Sequence, residues 1–395
     1  MNWVTKAVSE VASLNYGRSL PERSRLPGQI PVYGSNGIVG YHALPLVEDC
    51  GIVVGRKGSA GEIHFSETPF FPIDTTFYIA AKDTPLNLRY LAFALDHLNL
   101  KRILGDVGVP GLNREMAYRE HVAYPEEEYE QRQIARVLVA AQRAIEQQQA
   151  IIATTRELKR SLMHKLFTEG LRGEKQKQTE IGLVPESWAV KRIGELASLK
   201  SGGTPLRSNE AFWKNGTIPW VKTGEVDYCV INDTEEKITQ AGLDGSSAKI
   251  FPAGTLLMAM YGQGITRGKV GILGVDAATN QACVAFFPQG ELRTGFLYQL
   301  LTFKYDYIRN LGHGANQKNL SADILKTVQI AYPKDADEQD EIVACLSALD
   351  DKLALAERKR VHYTDLLKTL LHQLMTAQLR VNDLDLDALG VPALD

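Results

Sequence analysis

Moved forward by 208 positions, residues Glu130 to Arg172 land without a gap on Glu338 to Arg380, and 12 of the 43 pairs are identical. The shared positions include Glu130/Glu338, Ile134/Ile342, Leu138/Leu346, Leu162/Leu370, His164/His372 and Arg172/Arg380. An echo of that length at one offset means that a structural unit is used twice, so the chain must fold in two halves. Both stretches are rich in helix formers and free of proline. They predict two helices, each about 65 Å long at about 1.5 Å per residue.

A helix of that length cannot bury its own apolar seam. With Ile134 at heptad position d, the d series runs Ile134, Ala141, Gln148, Thr155, Leu162 and the a series Leu138, Ile145, Ile152, Lys159, Leu166. In the second copy, d is Ile342, Leu349, Ala356, Tyr363, Leu370 and a is Leu346, Leu353, Arg360, Leu367, Leu374. The partner with a matching seam is the other copy, although each helix could instead pack on its own domain as a core helix. Gln148, Thr155 and Lys159 give up stability in a way that fixes register and partner.

The segments between the helices repeat as well. Trp3, Lys6, Glu10, Ala12, Ser13 and Leu14 match Trp188, Lys191, Glu195, Ala197, Ser198 and Leu199 at an offset of 185, whereas Ala123-Tyr124-Pro125 matches Ala331-Tyr332-Pro333 at 208. The difference of 23 residues is insertion within the second globule. Strand-like runs at Ile52-Val53-Val54 and Thr76 to Ala80 alternate with glycine-rich turns, and Asn87 is placed to cap a helix beginning at Leu88. The order is globule, helix, globule, helix.

At 395 residues the chain holds two or three domains. Its net charge of −3 neither demands nor excludes a nucleic-acid partner. Charge placement says more: Asp383, Asp385, Asp387 and Asp395 make the C-terminal tail acidic, while six basic and two acidic residues lie between Lys191 and Thr223. That excess is either a solvated face or a surface that tracks phosphates. Cys50, Cys229, Cys283 and Cys345 stand far apart without metal-ligand spacing and read as buried thiols in a reducing compartment. With no apolar leader and no run near the roughly 18 residues of a membrane span, the expected location is the cytoplasm, with no membrane partner.

Paired halves with unlike globule interiors suit a ligand that is extended and locally two-fold. Duplex DNA is such a ligand, with paired readers spaced by roughly 34 to 36 Å. The residues IGLVPESWAVKRIGELASLKSGGTP, IPVYGSNGIVGYH, VVGRKGSAGEI, LLMAMYGQGITRGKVGI and ATNQA, in this order of parts, resemble the specificity (S) subunit of a type I restriction-modification system. The resemblance covers essentially the whole chain. It implies an α+β fold with two α/β target recognition domains, separated by two long helices that form an antiparallel coiled coil with internal pseudo-two-fold symmetry. The corresponding division is recognition domain 1 at 1–125, helical region 1 at 126–172, a linker at 173–180, recognition domain 2 at 181–333, helical region 2 at 334–380 and an acidic tail at 381–395. It also implies two methyltransferase (M) subunits on the helices and restriction (R) subunits bound through them. No cofactor or metal is expected in this chain; S-adenosylmethionine, ATP and Mg belong on the partners. The acidic tail matches no motif of the family.

Sequence motifs independently speak against catalysis. There is no Asn/Asp-Pro-Pro-aromatic string, no Walker A loop, no HExxH and no GxGxxG following a strand. A fused enzyme and a purely structural adaptor remain the rival classes. An S-like component of a modification system lacking a translocating nuclease shares the same pattern.

Candidate DNA contacts are polar residues crowding the turns. In the first globule they are Tyr33, Ser35, Asn36, Tyr41, Arg56, Lys57, Asp74, Thr75, Thr76, Asn113 and Arg114, with His42 read as structural. In the second they are Lys200, Thr204, Arg207, Lys222, Thr223, Tyr261, Gln263, Thr266, Arg267, Lys269, Asn280, Gln281, Asn316, Gln317 and Lys318. Lysines suit phosphates, whereas Gln263, Arg267, Asn280 and Gln281 are the types that reach base edges. Trp220 reads as core. His164 and His372 read as packing or partner contacts rather than metal ligands, since neither has an acidic companion.

Overall fold

A computed structural model describes residues 2–104, 111–262, 265–311 and 320–392. The chain forms two compact units, one made of residues 1–150 with 356–395 and the other of residues 151–355. The first long helix, Glu128–Glu169, and the second, Ala336–Met375, each contribute one half to each unit.

The ends of the seam read from the heptads are buried in each unit, while positions such as Ile145, Leu349 and Leu367 are half-buried. Ile134 and Leu138 pack with Leu374 and Met375 in the first, and Met163, Leu166 and Phe167 pack with Ile342 and Leu346 in the second. The beginning of one helix thus meets the end of the other, an antiparallel pairing seen separately in each unit. Burying each such aliphatic side chain contributes about 1.5–3 kcal/mol. Of the polar middle, Lys159 finds its partner in the second unit, where its Nζ pairs with Asp350 Oδ1 at 2.5 Å and Gln299 Nε2 donates to Asp350 Oδ2 at 3.0 Å.

Outside the helices, the two units repeat each other down to register. Trp3–Ala7 pairs antiparallel with His121–Pro125, and Ala189–Arg192 with Gln329–Tyr332; Val4↔Tyr124 and Ala189↔Tyr332 are the same pair at offsets of 185 and 208. A one-turn helix follows each strand, Val8–Val11 and Ile193–Leu196. Its third residue reaches back, so that Ala7 N donates to Glu10 Oε2 at 2.9 Å and Arg192 N to Glu195 Oε1 at 3.2 Å.

Each long helix starts on a buried glutamine. Gln131 accepts from Asn87 N at 2.8 Å and donates to Pro125 O at 2.9 Å. Gln339, 208 residues on, accepts from Arg293 N at 2.9 Å and donates to Pro333 O at 2.8 Å. Asn87 and Arg293 are the N-caps of the helices Leu88–His97 and Thr294–Phe303. One side chain therefore ties a globule's helix, its last strand and the long helix together. His164 and His372 rest on these same globule helices: His164 is 6.2 Å from the Phe303 ring and His372 is 5.6 Å from that of His97.

In the first unit, one sheet has the order Asn15–Tyr16, Thr76–Ala80, Gly51–Gly55, Ile63–Ser66, and another Gly37–His42, Ile30–Gly34, Phe71–Pro72. In the second, a sheet with the order Ala197–Ser201, Cys283–Pro288, Leu256–Ala259, Val270–Leu273, Val230–Ile231 accompanies one with Glu236–Ile238, Ile218–Val221, Ala277–Thr279, Ile250–Phe251. Most of the added length lies at residues 222–255, which stand where the first unit has 35–50.

The linker and the cysteines differ from their sequence reading, and the acidic tail gains a place that the sequence left open. Within the linker, Gln176–Thr179 is a strand paired with Gly182–Pro185. The acidic tail folds onto the first unit: Val381 and Leu386 join its core, and Arg136 binds Asp387 at 3.0 Å and the Pro392 carbonyl at 2.8 Å. Of the cysteines only Cys283 is buried, while Cys229 and Cys345 are exposed; four residues remote in the fold have no common reason to lie inside.

Candidate nucleic-acid interface

The site in the first unit follows from one pair of parallel strands. Ile30–Gly34 and Phe71–Pro72 run side by side, with Val32 opposite Phe71 and Tyr33 opposite Pro72. Parallel strands end at the same edge, so the turns that follow, at Ser35-Asn36 and Ile73-Asp74-Thr75, meet there. The turn after Gly51–Gly55 joins them. The Thr75 carbonyl is the hub, accepting from Arg56 N at 2.9 Å, Lys57 N at 3.1 Å and Ser35 Oγ at 2.6 Å. Between these turns lies an open hollow of about 310 Å³ lined by Ser35, Asn36, Lys57, Ser59 and Thr75.

The second unit is built the same way. Ile218–Val221 is parallel to Ala277–Thr279, with Val221 opposite Thr279, and delivers Lys222-Thr223 beside Asn280-Gln281. Asn280 N donates to Val221 O at 3.0 Å, and its Oδ1 accepts from Ala282 N at 3.1 Å. A glycine permits close approach in each unit. A Cβ on Gly17 would run into the Ile73 carbonyl, and one on Gly202, 185 residues on, into that of Thr279.

The predicted residues separate into those on the face and those beneath it. Asn36, Tyr41, Lys57 and Asp74 are exposed. Tyr33, Ser35 and Thr76 are buried: the Tyr33 ring packs edge-on against Phe70 at 5.8 Å, and Thr76 Oγ1 donates to Ile73 O at 2.8 Å. Asn113 caps the helix Arg114–Arg119, accepting from Glu115 N at 2.8 Å. His42 is buried and accepts from Leu26 N at 2.9 Å.

In the second unit Lys200 and Gln281 are exposed, with Thr204 hydrogen-bonded to Gln281. Tyr261 is exposed, and Thr223 and Thr266 are half-buried. Arg267 is only 9% exposed, and its Nη2 donates to Arg309 O at 3.0 Å, so it supports its turn from below instead of presenting a base reader. Trp220 is core and donates to Gly203 O at 2.9 Å. Gln263, Asn316, Gln317 and Lys318 lie outside the described residues.

The cations of the two units differ in their surroundings. Arg207 forms a two-bond fork with Glu236, at 2.9 and 2.8 Å, and lies 3.9 Å over the Trp213 ring. The fork raises the Arg207 pKa and lowers that of Glu236. Lys222 reaches Glu235 at 2.7 Å and Lys269 reaches Asp227 at 2.6 Å. These carboxylates partly neutralise their cations, modestly because the pairs are largely exposed. Arg56 and Lys57 have no ion pair among the described residues. Two aromatic residues escaped the sequence reading: Trp213, under Arg207, and Tyr16, whose ring faces both Arg56 and Arg114. Tyr16 has no periodic or motif signal; only folding brings those arginines to it.

No group of three or more His, Cys, Asp or Glu able to hold a metal occurs among the described residues, and no described helix is long and apolar enough to cross a membrane.

Residues 1–154 and 185–362 match the family model described as the type I restriction modification DNA specificity domain. The chain belongs to that family. Its two matched stretches are the two halves of the repeat. The MjaIX specificity subunit of Methanocaldococcus jannaschii is 30% identical over 204 residues, covering 49% of this chain and 45% of that one. The EcoR124I/EcoR124II specificity subunit of Escherichia coli is 24% identical over 190 residues, 45% of this chain and 47% of the relative. The chain thus spans about half the length of these two relatives. The M. jannaschii MjaVIII subunit is 24% identical across 86% of this chain and 81% of its own. The fold of the specificity domains is also that of a crystallised S subunit from M. genitalium, with a TM-score of 0.71, 17% identity and coverage of 95% and 96%.

Proposed function

We propose that this chain is the DNA-specificity subunit of a type I restriction-modification system, reading a two-part target with a different recognition domain for each part. One observation carries the reading: the family match occurs twice, and in both matched stretches a parallel strand pair brings polar turns to one edge. Because the two edges carry different side chains, the half-sites differ in sequence and the target is asymmetric. The chain contributes recognition and no chemistry, in keeping with its lack of methyltransferase and nucleotide-binding motifs. S-adenosylmethionine, ATP and Mg act on partner subunits in the cytoplasm.

Two M subunits dock on the polar flanks of the long helices, and R subunits join through them. A modification system without a translocating nuclease uses the same recognition chain, and the presence of an R subunit distinguishes the two. The test is a base-resolution map of adenine methylation in cells carrying this chain with its M partner. Methylation at one split, asymmetric sequence is the expected result; marks without a common sequence would refute it.

A further inference from the structure

Tyr16 is 50% exposed beside the three turns of the first unit, its ring backed by Phe77 at 5.0 Å. Two guanidinium groups lie over that ring, Arg56 with its Cζ at 5.0 Å from the centroid and Arg114 at 5.1 Å. They arrive from distant parts of the chain: Arg56 follows the strand Gly51–Gly55, and Arg114 opens the helix that Asn113 caps. The two elements are joined, since Leu112 N donates to Arg56 O at 2.8 Å and Lys57 bridges to Gly111.

Both side chains are held. Arg56 Nη1 donates to the Asp74 carbonyl at 3.0 Å, and Arg114 lies between Tyr16 and the Tyr118 ring, 5.7 Å away. Among the described residues Arg56 forms no ion pair, and Arg114 forms one, with Glu115, whose Oε1 is 3.6 Å from Arg114 Nε. Attraction to the aromatic face offsets only part of the repulsion between like charges. Beside the exposed ring, two planar guanidinium groups are therefore held in set orientations.

A ligand presenting two adjacent acceptors satisfies that arrangement. Phosphate binding does not require a fixed plane, and exposed Lys57 already supplies a point charge. A guanidinium held against a ring donates within its own plane, the geometry that matches O6 and N7 of guanine. We propose that Tyr16 is a positioning residue that holds Arg56 and Arg114 to read a guanine in one half of the DNA target. The assignment rests on the DNA-specificity reading above.

The test measures binding of the assembled S–M complex to its methylated target duplex, and to duplexes changed at one base pair at a time. Arg56→Lys, Arg114→Lys and Tyr16→Ala are compared with Tyr16→Phe, which keeps the ring. The lysine or alanine variants should lose about 10-fold or more in discrimination at a G·C pair of one half-site. Tyr16→Phe should retain it, and the other half-site should be read unchanged. Uniform weakening on every duplex, with a shallower salt dependence, would show phosphate binding and overturn the proposal. Full retention of discrimination in both lysine variants would overturn it too, and they decide the matter if Tyr16→Ala does not fold. If the wild-type complex shows no sequence preference at all, the functional reading fails instead.

Discussion

Lys159 of the first long helix and Asp350 of the second meet at 2.5 Å inside an otherwise largely apolar seam, with the Lys159 side chain 13% and that of Asp350 37% exposed. In the other half, the corresponding positions are Leu367 and Gln142. A partly buried ion pair of this kind selects a register, because any slip leaves each charge against aliphatic groups. Asp350→Leu alone should therefore destabilise the second unit by about 1–3 kcal/mol, less than for a fully buried pair because water reaches the carboxylate. Lys159→Leu with Asp350→Leu should recover most of that loss. Urea unfolding of the three chains checks both, and equal stability of the single and double variants would contradict the coupling.

Trp188 and Glu338 make a second asymmetry. Trp188 Nε1 donates to Glu338 Oε1 at 3.2 Å, whereas the repeat equivalents Trp3 Nε1 and Glu130 Oε2 are buried without a hydrogen-bond partner among the described residues. Trp188→Phe should cost about 1–3 kcal/mol, since a buried carboxylate loses a donor. Trp3→Phe deletes an N–H that has no partner, so it should cost less. Hydrogen exchange within each unit reads the two effects separately.

Gly17 and Gly202 should behave as a matched pair. Alanine at either position pushes against a carbonyl at the turn edge of its own unit, with an overpacking cost of about 1–3 kcal/mol. Gly17→Ala should blur recognition of one half-site and Gly202→Ala that of the other, as read from methylation maps. Loss at both half-sites from one substitution would indicate general unfolding.

The His97–His372 contact predicts a pH response. Burial, and secondarily the charge of His372, lowers the His97 pKa from its ordinary 6.5. The unfolded chain then binds the proton more readily than the folded one. The stability contributed by keeping His97 neutral is accordingly fully present above pH 6.5 and is lost as pH falls from there through the depressed folded value. His372→Gln removes one of the two causes, so stability should fall less steeply with acid. Unfolding curves between pH 7.5 and 5 test this, and parallel slopes in wild type and variant would exclude the coupling.

How much of this was readable depended on whether the signal was local. The heptad positions were legible, and Ile134, Leu138, Ile342, Leu346 and Leu374 are all buried, because helical periodicity writes burial along the chain. Asn87 was legible as a cap, since capping is decided within three residues. Among the turn residues the reading mixed two kinds: Ser35, Thr76 and Arg267 have the polarity of contacts but spend it on internal carbonyls. Polarity alone does not say which way a side chain faces.

By itself the sequence determined that the chain is a repeat of globule and long helix, because offsets of 208 and 185 carry the same residues at the same structural corners. Only the tertiary structure decided that Tyr16 lies under Arg56 and Arg114, that Lys159 finds Asp350, and that the acidic tail turns back onto Arg136. The reason is physical. Repetition and periodicity are properties of neighbours along the chain, whereas the pairing of one charge with one ring or carboxylate is settled when sheets and helices close over remote segments.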